Sequence, residues 1–195
     1  MTQDFSHHHY ILHKPYGYLS QFIYSGKRKK SKKLLGELYH FSKKTMAIGR
    51  LDEDTEGLLL LTTDGKVSQQ IRSKKVEKEY YVQVDGIIDD TAIKKLQRGV
   101  DIGINGQRYL TNPCKAFCLP PLLDLPIEER KIRDHRHGPT SWVSIIVTEG
   151  KFRQIRKMTA RVGFPTLRLI RVRIANIPLD IGTGQVVEVD RFNVI

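Results

Sequence analysis

The hydrophobic pattern of the chain predicts short strands separated by a few helices. The clearest strand runs from Gly57 to Thr63, where a continuous apolar run ends at Asp64-Gly65, as in a strand buried on both faces. Branched and aromatic residues predict a second strand from Glu79 to Asp85. Similar patterns predict strands at Tyr10 to His13, Lys115 to Leu119, Ser141 to Thr148, Thr166 to Ile174 and Gln185 to Val189.

Three segments have helical periodicity: Lys66 to Ser73, Asp89 to Gln97, and Lys151 to Val162. Asp89 or Asp90 caps the second helix, and a glycine and a proline follow the third. Because helices and strands do not alternate regularly, the pattern predicts an α+β fold whose mixed sheet is largely antiparallel and flanked by helices. A length of 195 residues suits one domain over 1–195, with room for two lobes that share one continuous sheet.

The third helix has two distinct sides and one arginine between them. At 100° per residue, its apolar side is predicted to pack inward, and its basic side to face water or phosphate. Arg156 lies at the border, so we expect it to be partly desolvated and to need a carboxylate or phosphate partner. The inward side consists of Phe152, Ile155, Met158, Thr159 and Val162, and the basic side of Arg153, Lys157 and Arg161.

The charge of the chain favours a polyanionic partner. Lys and Arg number 33 against 21 Asp and Glu, which gives a formal net charge of +12. These charges recur along predicted helices and strands, which favours nucleic-acid binding over a role in solubility alone. The run from Lys27 to Lys33 fits a solvated loop or a phosphate-contacting arm equally well. The loop from Leu119 to Pro139 is too polar for a core, and loops of that length usually have a function.

The cysteines and the membrane criteria predict a reduced, cytoplasmic protein. Cys114 and Cys118 match neither a zinc nor a redox spacing, and on one strand they would form two buried thiols. No apolar run has the length of a membrane span, and the first residues lack a signal sequence. The run His7-His8-His9 could bind metal or be a shortened tag, but it is better interpreted as a segment that leads into the first strand.

An acidic loop stands out in this basic chain. The stretch from Gly49 to Gly65, GRLDEDTEGLLLLTTDG, contains Asp52, Glu53, Asp54 and Glu56 just before a buried strand. These acids could be solvated and helix-capping residues, ligands of a divalent metal, or a nucleophile or base held by Arg50 or Arg156. Spacing and composition leave all three interpretations open.

At this loop the sequence resembles the RNA pseudouridine synthases of the small-subunit type. The whole 49–65 stretch is similar to the family's motif around its catalytic aspartate. The blocks Lys14-Pro15-Tyr16-Gly17, Lys78-Glu79-Tyr80 and EGKFRQIRKMTARVGFPTLRLIRVRI (149–174) resemble three further family motifs, in the family's order. Within the family, the segment PIEERKIRDHRHGPTSW is most similar to a subgroup that acts on large-subunit ribosomal RNA and has no separate N-terminal RNA-binding module.

The resemblance implies an enzyme that isomerises one uridine of 23S ribosomal RNA to pseudouridine. It implies that Asp52 is the catalytic carboxylate, that Tyr80 stacks on the target base, and that Arg156 pairs with the aspartate. It also implies no metal and no organic cofactor. Because a base inside a helix is unreachable, the uridine has to be flipped out, and we expect a monomer without an obligate protein partner. We expect phosphate contacts from the basic residues in or near these motifs, which are Lys14, Arg50, Lys78, Arg153, Lys157, Arg168 and Arg171.

Other functions fit the same residues less well. The nearest alternative is the same reaction at a different uridine, in 16S ribosomal RNA or another RNA. A non-catalytic assembly protein that binds ribosomal RNA would share the charge, but it would give no reason for the GRLD motif. A metal-dependent nuclease would need a second cluster of carboxylates, which the sequence does not show.

Overall fold

A computed structural model describes residues 7–24, 32–72, 76–120, 127–128, 130–132 and 134–194 of the chain. The helices in these ranges are α1 (Gly65–Ile71), α2 (Asp90–Arg98) and α3 (Gln154–Arg161), besides two short 3-10 turns. The strands are β1 (His9–Lys14), β2 (Tyr18–Leu19), β3 (Lys33–Leu34), β4 (Met46–Ile48), β5 (Glu56–Thr62), β6 (Lys78–Asp85), β7 (Asp101–Ile104), β8 (Gln107–Leu110), β9 (Lys115–Leu119), β10 (Thr140–Val147), β11 (Thr166–Ile174), β12 (Ile177–Pro178) and β13 (Val186–Val189).

One large sheet organises the molecule. Its strand order is β13-β1-β5-β11-β6-β10-β9, with β4 added to β5 and β12 added to β11. All pairs in this sheet are antiparallel except β5 with β11, which run parallel where Glu56 and Gly57 face Ile170 and Arg171. The predicted α+β class, with a mixed and largely antiparallel sheet and flanking helices, is therefore confirmed. The parallel pair is the seam at which two antiparallel halves of the sheet meet.

Strand β5 lies in the centre of the core, as its continuous apolar run predicts. All seven of its residues are buried, including both flanking polar ones. Leu58 and Leu60 pack on the sheet face that contains α1. Leu59 and Leu61 lie on the opposite face, where they pack with side chains of β1 and of the 35–47 segment. A third cluster lies on the other half of the sheet, where α2 and α3 cover β6 and β10. Apolar burial on both faces thus stabilises the strand that follows the acidic loop.

Most predicted elements are found within one or two residues of their expected limits. The strand prediction omits the short strands β2, β3, β4 and β12 and the hairpin of β7 and β8. Asn105 and Gly106 form its turn with φ of 50° and 78°, the conformation that Asn-Gly favours between antiparallel strands. The Asn-Gly dipeptide is the sequence signal from which this hairpin could have been predicted. The last residue of the first predicted helix, Ser73, lies outside the described residues.

The prediction for the third helix needs a correction at its beginning. The helix starts at Gln154, because Arg153 adopts a left-handed conformation with φ 52° and ψ 35°. Phe152 therefore lies on a turn rather than on the inward stripe, and its side chain is 65% exposed. Ile155 and Met158 are buried as predicted.

The predictions for the two cysteines and for the histidine run have different outcomes. The prediction of two buried thiols is wrong for Cys118, which is exposed because β9 is the edge strand. Cys114 is half-buried, and burial raises the pKa of its thiol to about 11. The histidine run does lead into the first strand, since buried His9 begins β1 and its Nδ1 lies 2.9 Å from Thr62 Oγ1.

Neither metal nor membrane features occur in the part of the chain that the structure describes. Within these ranges, no three His, Cys, Asp or Glu side chains come together so as to hold a metal ion. No helix among the described residues has the length and apolar character of a bilayer span.

Candidate active site

The acidic loop forms a turn that is fastened to the segment after β1. Thr55 N donates to Asp52 O at 3.1 Å, which closes the turn. Ser20 Oγ donates to Leu51 O at 2.8 Å and accepts from Leu51 N at 3.0 Å. Gly17 N donates to Glu53 O at 2.8 Å. These bonds hold the backbone on both sides of Asp52.

The seam between β5 and β11 fixes the same turn from the other side. Arg171 donates from Nε to Leu58 O at 2.8 Å and from Nη2 to Gly49 O at 3.1 Å. Gly57 has φ 104°, and a Cβ at this position would overlap the backbone oxygen of Arg171. Only glycine permits this close approach. The role of Gly57 in the motif is therefore to position the loop.

The turn before α3 brings a guanidinium group to both aspartates of the loop. Arg153 Nη1 lies 3.4 Å from Asp52 Oδ2 and 3.1 Å from Asp54 Oδ1, while Nη2 lies 2.9 Å from Asp54 Oδ2. A left-handed residue other than glycine costs roughly 1–2 kcal/mol, and such residues are concentrated at functional sites. The residue with the strained backbone, Arg153, is thus the one whose guanidinium group binds both Asp52 and Asp54, and we call this contact the arginine clamp.

Arg156 is near the site, but its partner differs from the prediction. Its Nη2 donates to Asp54 O at 2.7 Å and lies 3.4 Å from Asp54 Oδ2. The side chain is only 12% exposed, and its buried Nε has no hydrogen-bond partner. In this structure the ion pair with Asp52 comes from Arg153, on the turn before α3. The expectation of a partly desolvated Arg156 beside a carboxylate is confirmed.

The two arginines change the electrostatics of Asp54. Burial alone would raise the pKa of its carboxyl, but the hydrogen bond from Arg153 and the charges of Arg156 and Arg153 outweigh it and lower that pKa. The Asp52 and Asp54 side chains are 33% and 35% exposed. They therefore remain accessible to a ligand in spite of their ion pairs.

A cleft of about 420 Å³ opens above these carboxylates. It joins the segment after β1, the acidic turn and the turn before α3, which are far apart in the chain. Partly exposed carboxylates at the wall of such a cleft can act as a nucleophile or as a base on a bound molecule. The lining residues are Tyr16, Gly17, Asp52, Glu53, Asp54 and Arg153.

Tyr80 lies on β6, two strands away from the beginning of β5. It pairs with Arg171 on β11, and Arg171 pairs with Gly57, so the Cα atoms of Tyr80 and Gly57 are about 10 Å apart. Its partly buried ring packs on the sheet face that α3 covers. Among the described residues, no hydrogen bond joins Tyr80 to Asp52.

The structure corrects three of the seven predicted phosphate contacts. Lys14, Arg168 and Arg171 are 0%, 5% and 2% exposed, and their charged groups bind protein atoms. Lys14 Nζ donates to Pro15 O and Tyr18 O, and burial lowers its pKa to about 8. Arg168 forms two hydrogen bonds to Glu56. These charges stabilise the protein interior, because an ion with no solvent access cannot meet a phosphate.

The other four predicted contacts differ in exposure. Arg50 is exposed, and Arg153 and Lys157 are half-exposed next to the cleft. Lys78 is partly buried and donates to Val76 O at 2.9 Å, and burial, aided by the charge of Arg171, lowers its pKa to about 8. Lys27 to Ser31 of the basic run lie outside the described residues, whereas Lys32 forms an ion pair with Glu53.

Three side chains of the site carry no predicted role: Asp54, Tyr16 and Glu53. Asp54 was present in the acidic loop and Tyr16 in the KPYG block, but neither motif shows which of its side chains faces a cleft. Glu53 turns to Lys32, with an oxygen 2.7 Å from the ammonium group. The positions of Asp54, Tyr16 and Glu53 in the site depend on contacts between segments that are distant in the chain.

Comparison with known proteins places this geometry in a family. The profile of the RNA pseudouridylate synthase family matches residues 8–161, which include β1, the acidic turn, Tyr80 and all of α3. The chain belongs to the RNA pseudouridylate synthase family. The acidic turn with its arginine clamp therefore lies inside the part of the chain that this family of synthases shares.

Individual synthases are similar over most of the chain. The chain is 40% identical to ribosomal large subunit pseudouridine synthase E of Vibrio parahaemolyticus over 90% of its length and 71% of that protein. It is 41% identical to the protein of the same name from Xanthomonas campestris, over 84% of this chain and 85% of that protein. A crystal structure of a pseudouridylate synthase has the same fold, with a TM-score of 0.73, 24% identity, and coverage of 94% of this chain and 70% of that one.

Proposed function

We propose that this synthase isomerises one uridine of 23S ribosomal RNA to pseudouridine, with Asp52 as the catalytic carboxylate. The observation that carries the proposal is the Asp52 side chain, which lies at the wall of the cleft on a turn fixed from both sides. The names of the relatives, which specify the large ribosomal subunit, support the choice of substrate. A net charge of +12 suits an RNA substrate.

The reaction rearranges one nucleotide without a net change in composition. The N1–C1′ bond breaks, the uracil turns, C5 bonds to C1′, and the proton that leaves C5 is balanced by one that N1 gains. Asp52 assists either by attacking the ribose or by removing a ribose proton. Arg153 holds the Asp52 carboxylate in place, and Arg156 holds the backbone of the same turn through Asp54 O.

The target uridine must leave its helix to reach Asp52. Flipping a base out of its stack costs a few kcal/mol, which contacts in the pocket have to offset. We propose that Tyr80, on the sheet face beneath α3, stacks on the flipped base. Arg50, Arg153 and Lys157 are the side chains whose exposure suits contacts with the flanking phosphates.

We also propose that residues 1–195 act as one catalytic domain and as a monomer in the cytoplasm. The sheet runs through both halves of the chain, which supports a single domain. A ribosomal RNA substrate supports the location.

The deciding experiment maps pseudouridine in 23S and 16S ribosomal RNA from cells with and without the protein, by carbodiimide modification and primer extension. We expect one 23S site to disappear, and to return with the wild-type gene but not with Asp52→Asn. If the lost site were in 16S RNA instead, the proposed reaction would stand and 23S RNA would be refuted as the substrate. Unchanged maps in both RNAs would contradict the proposal and favour a protein that only binds RNA.

A further inference from the structure

Two exposed aromatic residues belong to the segments that form the cleft. Phe152 is 65% exposed and Tyr16 is 48% exposed, the highest values for Phe and Tyr rings among the described residues. Tyr16 lines the cleft, and Phe152 directly precedes Arg153, which lines it on the other side. A single exposed apolar side chain is ordinary, but of the two most exposed rings one lines the cleft with Asp52 and the other belongs to the residue before Arg153, which binds Asp52.

The surroundings of Phe152 are cationic rather than apolar. The Lys157 ammonium group lies 5.1 Å from the centre of the ring, within the range of a cation–π contact. Lys151 precedes the ring and is exposed, and Arg153 follows it. Since the ring is about two-thirds exposed, a large part of it remains open to a ligand. A flat aromatic surface with positive charges around it matches a nucleobase and its phosphates.

The local backbone explains why the ring lies outside. Arg153 is left-handed, so α3 begins only at Gln154. Gln154 is buried and donates to Glu149 Oε1 at 2.7 Å, whereas Phe152 is left on the preceding turn. The turn from which Arg153 reaches Asp52 therefore also carries the exposed Phe152.

We infer that Phe152 stacks on the base of the nucleotide next to the target uridine, while Lys157 contacts the adjoining phosphate. This inference rests on the proposed function, because it takes the RNA strand through the cleft of Asp52. When a uridine is flipped out, its neighbour in the strand loses a stacking partner. Phe152 replaces that partner, so it contributes to RNA affinity and takes no part in the chemical step.

The test compares Phe152→Leu with Phe152→Trp. Leucine keeps an apolar side chain on the turn but removes the flat ring, whereas tryptophan keeps the ring. The matched control is Phe117→Leu, which changes another exposed phenylalanine on the edge strand β9. Fluorescence anisotropy measures binding of a labelled single-stranded oligouridylate, and steady-state kinetics on a 23S transcript measure kcat and KM.

We expect Phe152→Leu to weaken oligouridylate binding and raise KM by roughly 5- to 100-fold, the range for the loss of one stacked base, with kcat nearly unchanged. Phe152→Trp should restore both values, and Phe117→Leu should leave them unchanged. Wild-type affinity in Phe152→Leu, or equally weak binding by the tryptophan variant, would overturn the inference. If the wild type forms no pseudouridine in 23S RNA, the proposed function fails, while the binding measurements still decide whether Phe152 stacks on RNA.

Discussion

Asp52 and Glu56 of the acidic motif form ion pairs with arginines, and these two pairs differ in their access to solvent. Asp52 pairs with Arg153 at 3.4 Å, and both side chains are about one-third exposed. Four residues later, Glu56 pairs with Arg168 at 2.7 Å, and both side chains are only 6% exposed. In the exposed pair, the aspartate can exchange its contact with arginine for a contact with substrate. The buried pair instead joins β5 to β11. Position relative to the seam, rather than residue type, separates the carboxylate that we propose to react from the one that supports the fold.

Removing the exposed carboxylate should have the largest effect on activity and almost none on the fold. We expect Asp52→Asn to lower pseudouridine formation by at least about 10²- to 10⁴-fold, because the variant cannot act as a base or nucleophile. Its unfolding free energy should stay within about 0.5 kcal/mol of the wild type, since the residue is partly exposed. Single-turnover assays and denaturant titrations measure the two quantities. Appreciable turnover in this variant would remove Asp52 from its role.

Breaking the buried pair should have the opposite result. Arg168→Met leaves Glu56 charged in the interior, which costs about 3–5 kcal/mol and lowers Tm by roughly 6–20 °C. Arg130, 3.3 Å from Glu56, should keep the loss near the lower limit. Turnover below the new Tm should persist.

A double variant provides the control for the buried pair. Glu56→Gln combined with Arg168→Met removes both charges, so it should recover part of the lost stability. An unchanged Tm in Arg168→Met, measured by calorimetry, would show that the buried pair does not support the seam.

Acid should weaken the exposed clamp. The folded-state pKa of Asp54 is below its ordinary value of 3.8, so its contribution to stability is complete above about pH 4 and is lost as pH falls through the lowered pKa. Because the group is exposed, that contribution is at most about 1 kcal/mol. Urea titrations of wild type and Asp54→Asn should therefore differ at pH 6 and converge below pH 3. A difference that persists at low pH would exclude ionisation of Asp54 as its cause.

The smallest effect is expected at the exposed cations around the cleft. Arg50→Gln should weaken RNA binding a few-fold and reduce the salt dependence of log K by about 0.7–0.9, the value for one lost phosphate contact. The control is Lys115→Gln, which changes an exposed lysine that pairs with Glu77 on the edge of the sheet. Equal salt slopes for both variants and the wild type would exclude Arg50 from the phosphate contacts.

The parts of the molecule that depend on local pattern could be predicted from the sequence. β5, β9 and β11 follow from continuous apolar or branched runs, and Asp89 does cap α2, accepting from Ala92 N at 2.7 Å. The acidic loop could be located because its acids contrast with a basic chain, whereas the catalytic role of Asp52 was implied only by the family resemblance.

Contacts between distant segments could not be predicted in this way. Arg153 takes the contact with Asp52 that the resemblance assigned to Arg156, and it does so from a left-handed turn before α3. Periodicity assumes a regular backbone and cannot indicate that turn. Charge counts likewise do not distinguish Arg50, which is exposed, from Lys14, which is fully buried.

The order of strands in the sheet also determines when a newly made chain can acquire its cleft. β1 lies between β5 and β13, so its second neighbour is made about 170 residues after it. At translation rates of about 5–20 residues per second, that interval is roughly 10–35 s. The seam that orders the acidic turn needs β11, which also leaves the ribosome late. A nascent chain thus exposes one edge of apolar β5 until β11 is made, and an exposed apolar strand edge of this kind is what chaperones protect from aggregation.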